Sequence, residues 1–388
     1  MLVLARAVQG VGAAAVMPLS LTLLVGSVAT RYRPLAIGIW GGVSGLGVAL
    51  GPLIGGAVVE GWSWPAIFWL NVPIGIIAVP LAFIALPNSF GAKVRADVLG
   101  VILAGLGILG VVFGIVRGND AGWDSFEVLA ALLIGALLLG AFVLRESRIA
   151  NPLLPLRLFR DRSFTVSNLV GLTFSFGAFG SVFILIQFLQ VVQGHSPLEA
   201  GIMTMPWTLA PMVVAPLTGL VANRLGTRTL IVAGLLSLSA GIFWLGFSLS
   251  ASVAYVTMLP GFILAGLGMG LVFAPISTAV LANMAPADHA KASGTNSTLR
   301  EVGVALGIAV LTAVFTGAGG QLSPTGYVDA AIPATLVGAA VLLLAAVLAL
   351  FLPSGRATGV GVDAAATESP ARSGAVAAAV PEGSGTLV

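Results

Sequence analysis

The sequence predicts an all-α polytopic membrane protein. Three observations carry that prediction: charge is scarce, apolar runs of spanning length recur, and the few cations alternate between successive connections. Charged residues make up 8% of the 388 residues, with 17 Lys and Arg against 14 Asp and Glu; an ordinary soluble chain carries about 25%. The hydrophobic fraction is 58% and the mean hydropathy +1.09. So few charges cannot build a water-facing surface, which excludes a soluble globular domain. The net charge of +3 is thinly spread with no basic face, which excludes a nucleic-acid partner. Without cysteine there is neither a disulfide framework nor a thiolate metal site. Two histidines argue against a His-rich metal site.

A helix needs about 20 apolar residues to cross about 30 Å of hydrocarbon. Eleven runs meet this length, and they do not alternate as barrel strands would. The first, 2–27, is interrupted by Arg6 and Gln9 and lacks a basic leader, so it is not a signal peptide. The turn Arg31-Tyr32-Arg33-Pro34 separates it from 35–58, and 65–86 follows. The fourth and fifth runs, 98–117 and 126–144, flank Gly118-Asn119-Asp120. The sixth, 164–191, ends at Gly194-His195-Ser196-Pro197, and 199–222, 229–248 and 254–283 come next. Ala285-Pro286-Ala287-Asp288 precedes 298–318, and 331–352 closes the series. Residues 354–388 shift to Ala, Gly, Ser, Thr and Pro and read as a disordered tail.

The cations orient the spans. Arg31, Arg33, Lys93, Arg95, Arg145, Arg148, Arg157, Arg160, Arg162, Arg224, Arg228, Lys291, Arg356 and Arg372 all fall on one side. Glu60, Asp120, Asp124, Glu127, Glu199 and Asp329 fall on the other, with Arg117. The basic side is cytoplasmic, so the tail is inside and the membrane is the plasma (inner) membrane. Trp62, Trp64, Trp123 and Tyr327 are placed as an outer aromatic belt. Eleven spans with an inner C-terminus put Met1 outside, so an odd number of further helices is expected upstream.

An internal repeat organises the chain. Gly47-Val48-Ala49-Leu50-Gly51 recurs as Gly303-Val304-Ala305-Leu306-Gly307. In the same register Gly10 and Gly12 match Gly266 and Gly268, and Ala36 and Gly38 match Ala292 and Gly294. Both copies start and end outside, so the repeat is parallel. That is a transporter architecture, with substrate near the midplane between two halves. Spans in 1–87 then supply three helices of one half, 88–150 two extra linker helices, and 151–353 a six-helix second half, ahead of the tail at 354–388.

Four stretches carry a family resemblance. They are the run Leu4-Ala5-Arg6-Ala7-Val8-Gln9-Gly10-Val11-Gly12-Ala13; the run from Gly47 ending Gly51-Pro52-Leu53-Ile54-Gly55-Gly56; the linker Gln190-Val191-Val192-Gln193-Gly194-His195-Ser196-Pro197-Leu198-Glu199-Ala200-Gly201; and Gly219-Leu220-Val221-Ala222-Asn223-Arg224-Leu225-Gly226-Thr227-Arg228. Together they resemble the major facilitator superfamily, in its fourteen-span drug:proton antiporter branch (EmrB/QacA type). The resemblance implies a major facilitator fold with about eleven helices present and the family's first three absent. It also implies a cofactor-free monomer that exports amphipathic small molecules against protons. A second possibility is a membrane fragment without transport activity.

The same resemblance marks the candidate site residues. Arg6 lies within a span, where a charge costs at least about 2.5–3.5 kcal/mol at mid-helix, and is assigned to proton coupling or substrate-site polarity. Arg300 and Glu301 are adjacent and point about 100° apart on a helix. Glu301 reads as the remaining acid inside a span and is the protonation candidate. Gly47, Gly51 and Gly55 repeat every four residues beside Pro52 and Gly56, a spacing that lets helices approach closely. Gln9, Asn168, Gln187 and Gln190 are cavity-lining candidates. Gly219, Asn223, Arg224, Gly226 and Arg228 form a cytoplasmic gating loop in which Asn223 replaces the family's usual Asp.

Two strings are decoys. Gly105-Leu106-Gly107-Ile108-Leu109-Gly110 spells a dinucleotide fingerprint but lies inside an apolar span with no preceding strand. Gly42-Val43-Ser44-Gly45 resembles an intramembrane protease string, but His195 and His289 sit in loops on opposite sides, so no base is in reach. An enzyme is not expected.

Overall fold

The computed structural model describes residues 2–29, 43, 47, 50–85, 97–149, 152–285 and 288–353. Among them run α1 (Leu2–Ser27), α2 (Leu50–Gly61), α3 (Ala66–Ala85), α4 (Val98–Ala121), α5 (Phe126–Glu146) and α6 (Arg162–Val191). Then follow α7 (Pro197–Met203), α8 (Met205–Leu225), α9 (Thr227–Ser248), α10 (Tyr255–Leu281), α11 (His289–Gly317) and α12 (Val328–Ala349). Eight of these are long and apolar enough to cross a membrane, and nine if α7 and α8 are one span bent by 42°. The tail, the cations at 31, 33, 93, 95, 356 and 372, and Gly42, Ser44 and Gly45 lie outside the described residues.

Polar caps start several helices where the sequence leaves the apolar runs. The Asp97 carboxylate accepts from the Gly100 N–H and caps α4, and Ser125 caps α5. Asp161 caps α6, and Ser196 with Glu199 forms a capping box on α7. Gly226 joins α8 to α9 at φ +80°, a left-handed conformation that glycine adopts without a side-chain clash.

Helices α6 to α12 form one packed bundle. α6 is central and packs against α10, α11 and α12; α9 lies between α10 and α12, and α8 packs on α10. Lipid removes the hydrophobic drive between helices, so their contact rests on close van der Waals fit and interhelical hydrogen bonds. Glycines supply the fit. Gly303 and Gly307 of α11 sit against the Leu172 and Phe176 carbonyls of α6, and Gly268 of α10 against the Gly234 carbonyl of α9. A Cβ at Gly241 would meet the Gly261 carbonyl at 2.6 Å, and one at Gly177 would meet the Gly338 carbonyl at 2.8 Å. Hydroxyls add directed bonds: Ser239 Oγ donates to the Ala339 carbonyl (2.8 Å) and Ser237 Oγ to the Leu264 carbonyl (2.8 Å).

The α4–α5 hairpin has its own seam. Gly107 packs on Leu139, and Gly110 on Ala131 and Gly135, so the fingerprint-like string is a helix-packing device. The hairpin docks on α11. α1 touches α11, and α2 meets α7 through Gly56 and Pro52. Across its most apolar window α3 buries nothing.

Three expectations change. Tyr327 is not a belt residue: it is fully buried, stacks 4.6 Å from Phe315, and donates its hydroxyl to the Ile184 carbonyl at 2.8 Å. α5 runs to Glu146, past the predicted 144, and buries that carboxyl. α11 begins at His289 rather than 298, because Ala292, Thr295 and Asn296 pack inward on a polar first stretch; hydropathy marks the membrane, not the helix.

Gly307→Leu should destabilise the bundle by about 3 kcal/mol or more through overpacking, whereas Gly105→Ala, at a position with no neighbour within 4 Å, should change stability by less than about 1 kcal/mol. Thermal unfolding in detergent measures both.

Candidate functional site

The most developed polar site lies between α6 and α11. Asn296 Nδ2 donates to Asn168 Oδ1 at 3.2 Å, and Asn168 Nδ2 donates to the Phe164 carbonyl at 2.8 Å. Both amides are buried. One turn along α11 from Asn296, the Arg300 guanidinium lies 4.1 Å from the centre of the Phe273 ring on α10. Phe273 in turn meets Phe174 edge-on at 6.2 Å. Stacking on a ring partly stabilises a desolvated guanidinium, by about 0.5–2 kcal/mol. The Arg300 Nε is buried without a hydrogen-bond partner among the described residues, as are the hydroxyls of Ser167 and Ser175. Gly171 makes the room: a Cβ there would meet Asn296 Nδ2 at 3.2 Å and Arg300 Cγ at 3.5 Å.

Arg6 on α1 is exposed, unlike Arg300, but it too lies over a ring. Its guanidinium lies 4.5 Å from the centre of the Phe68 ring on α3, and its Nη1 donates to Gln9 Oε1 at 2.9 Å. Both arginines therefore rest on phenylalanine, and each has an amide side chain about one turn away on its own helix.

The remaining predicted residues are spread more widely. Glu301 is exposed beside Arg300, and no ion pair joins the two among the described residues. Gln187 and Gln190 are half-buried near the C-terminal end of α6, about 28 and 33 Å along the helix from Asn168 at 1.5 Å per residue; the three amides do not form one site. Arg224 is exposed and Arg228 half-buried on either side of Gly226; the side chains of Gly219 and Asn223 lie outside what is described. Among the described residues, Gly47, Gly51 and Gly55 have nothing within 4 Å of a Cβ position, whereas Gly56 and Pro52 meet the Pro197 and Gly201 backbone of α7. An apolar cavity of about 340 Å³ opens between α2 and α3, lined by Val58, Trp62, Ala66, Trp69, Leu70 and Pro73.

A family model described as Major Facilitator Superfamily matches residues 1–307 and again 168–381. The chain belongs to the major facilitator superfamily. It is 35% identical to the multidrug resistance protein Stp of Mycobacterium tuberculosis, over 80% of this chain and 58% of that protein. It is 32% identical to the tetracenomycin C resistance and export protein of Streptomyces glaucescens, over 86% of this chain and 62% of that protein. It is 35% identical to the puromycin resistance protein pur8 of Streptomyces alboniger, over 96% and 76%. The chain thus spans about three-fifths of the length of the first two.

Two further polar clusters of this major facilitator chain escape sequence reading. At the loop end of the hairpin, Asn119 Nδ2 donates to the Ala313 carbonyl and to Thr316 Oγ1 (2.6 Å) on α11, and Asn119 Oδ1 accepts from Trp123 Nε1 at 2.7 Å. At the hairpin's open end, Arg145 holds Asp97 through Nη2 (2.7 Å) and Nε (2.9 Å). The Arg145 guanidinium and the Gly100 N–H hold the Asp97 carboxyl below the usual carboxylate range. In sequence these residues read as turn punctuation or as orientation charges; only the pairing of helix ends reveals them. For Asn296 and Phe273 the available signal is spacing alone, an amide four residues before an intramembrane Arg.

A depressed carboxyl contributes stability that is complete above its unfolded pKa of about 3.9 and is lost as the pH falls through the lower folded value. Asp97→Asn should therefore lower Tm at pH 7, and the gap to wild type should close in acid below about pH 4. A Tm-against-pH series reads this directly.

Proposed function

We propose that this chain is part of a secondary exporter of amphipathic small molecules, driven by protons moving inward. Residues 1–87 supply three helices of the first half, 88–150 the linker hairpin, 151–353 the second half and 354–388 a cytoplasmic tail. Basic loops on one side favour the plasma membrane with the C-terminus inside, and one copy is the transporting unit. The two halves rock around a midplane cavity, taking up substrate and proton alternately.

The observation that carries this reading is the Arg300 site. A charged residue within a spanning helix is a functional-site candidate by default, and this one combines a stacked cation, an amide pair and an unpartnered Nε. The names of the relatives, resistance and export proteins, support the direction of transport. Contact between the halves runs through Gly56 and Pro52 of α2 against α7, where packing must change as access alternates. In this proposal Arg6 and Arg300 polarise the cavity, and Glu301 exchanges the proton. Gly226, with Arg224 and Arg228, forms the inner turn that follows the gate. Because α6 covers Gly303 and Gly307, a helix related to α6 is the partner for Gly47 and Gly51.

The test uses vesicles with an imposed proton gradient and a fluorescent amphipathic dye. Arg300→Ala and Glu301→Gln should each slow driven efflux at least tenfold, and Glu301→Gln should leave dye binding within twofold. Wild-type rates in both variants overturn the coupling roles. A chain that binds dye but moves none overturns transport by this chain.

A further inference from the structure

The open end of the hairpin carries a buried carboxyl that the transport reading does not use. Glu146 is 3% exposed and Asp97 8%. Glu146 Oε2 accepts from the Leu154 N–H at 2.7 Å, in the segment that leads into α6. Its Oε1 is buried with no hydrogen-bond donor among the described residues. That oxygen points into the space beside Gly100: a Cβ there would lie 3.1 Å from Glu146 Oε1 and 2.5 Å from Asp97 Oδ2. Oxygens of both carboxyls thus border the same small space beside Gly100.

The charge count decides the protonation state. Among the described residues, Asp97 and Arg145 are the charged groups that bear on Glu146; from the 152–160 segment the Leu154 backbone N–H reaches it. Arg145 is committed to Asp97 in a forked contact. An ionised Glu146 would then be a second buried negative charge with an empty acceptor facing a carboxylate, which is strongly unfavourable. A proton on Oε1 removes the charge and turns the orphan acceptor into a donor aimed at Asp97.

We propose that Glu146 is a resident carboxylic acid that donates its Oε1 proton to Asp97, forming a proton-binding latch. The latch fastens the open end of the α4–α5 hairpin to the segment entering α6. It does not rest on the transport reading and stands or falls without it. When the proton leaves, two carboxylates compete for one guanidinium, and the Leu154 attachment loosens. Because the folded chain then holds this proton more tightly than the unfolded chain does, stability falls as the pH rises through the group's folded value.

Infrared spectroscopy of the full chain in lipid tests the latch. At neutral pH the wild type should show a buried carboxylic C=O band that survives Glu301→Gln and is lost in Glu146→Gln. Asp97→Asn removes the competing carboxylate and frees Arg145 for Glu146, so Glu146 should ionise and the band should be lost here too; this variant decides the matter if Glu146→Gln does not fold. Across alkaline pH the wild-type Tm should fall while that of a folded Glu146→Gln stays flat. A spectrum in which Glu146→Gln removes no band, or in which Asp97→Asn leaves it in place, overturns the proposal. So does a wild-type alkaline Tm profile identical to that of Glu146→Gln.

Discussion

Bare helix backbones in contact are the constraint on which the rest of this molecule depends. Between lipid-embedded helices there is no hydrophobic drive, and association rests on fit. In α6 to α12 that fit is made by glycine against carbonyl: Gly303 and Gly307 on α6, Gly268 on α9, and Gly241 facing Gly261. Only because α11 lies this close to α6 does Asn296 reach Asn168 and Arg300 clear Gly171 to stack on Phe273. The polar site is thus a product of the seam, and a side chain at Gly303 or Gly307 would separate its two walls.

The internal repeat gives this constraint a built-in comparison. The pentapeptide at Gly303 to Gly307 is closed by α6, while the same five residues at Gly47 to Gly51 carry nothing within 4 Å of Gly47 or Gly51 among the described residues. The glycines paired in register behave alike: Gly266 and Gly268 are covered, Gly10 and Gly12 are open. Identical sequence therefore meets two environments, and the difference lies in the neighbours available. The helix that covers the second copy, α6, opens the packed bundle; the chain spans about three-fifths of the length of relatives such as Stp.

Much of this was legible in the sequence. Apolar run length located the helices, because membrane thickness fixes it, and the repeated Gly-x-x-x-Gly announced the seam. Arg300 could be singled out because a charge in an apolar run stands apart. Pairings across the chain were not legible. Asn119 read as a turn residue until α11 came beside it, and nothing in the sequence singled out Glu146 until α5 extended over it. Tyr327 has the composition of a belt residue, but a carbonyl on α6 draws its hydroxyl into the core. Sequence reports what a residue is able to do, and the neighbouring helix decides which of these it does.

The seam comparison is tested most directly by nitroxide labels at Gly55→Cys and Leu311→Cys, the matching positions of the two copies. Electron paramagnetic resonance with dissolved oxygen as the relaxing agent, on the chain in lipid, measures how open each position is. The account predicts a mobile, oxygen-accessible label at position 55 and an immobilised, shielded one at position 311. Equal shielding at the two positions would contradict it.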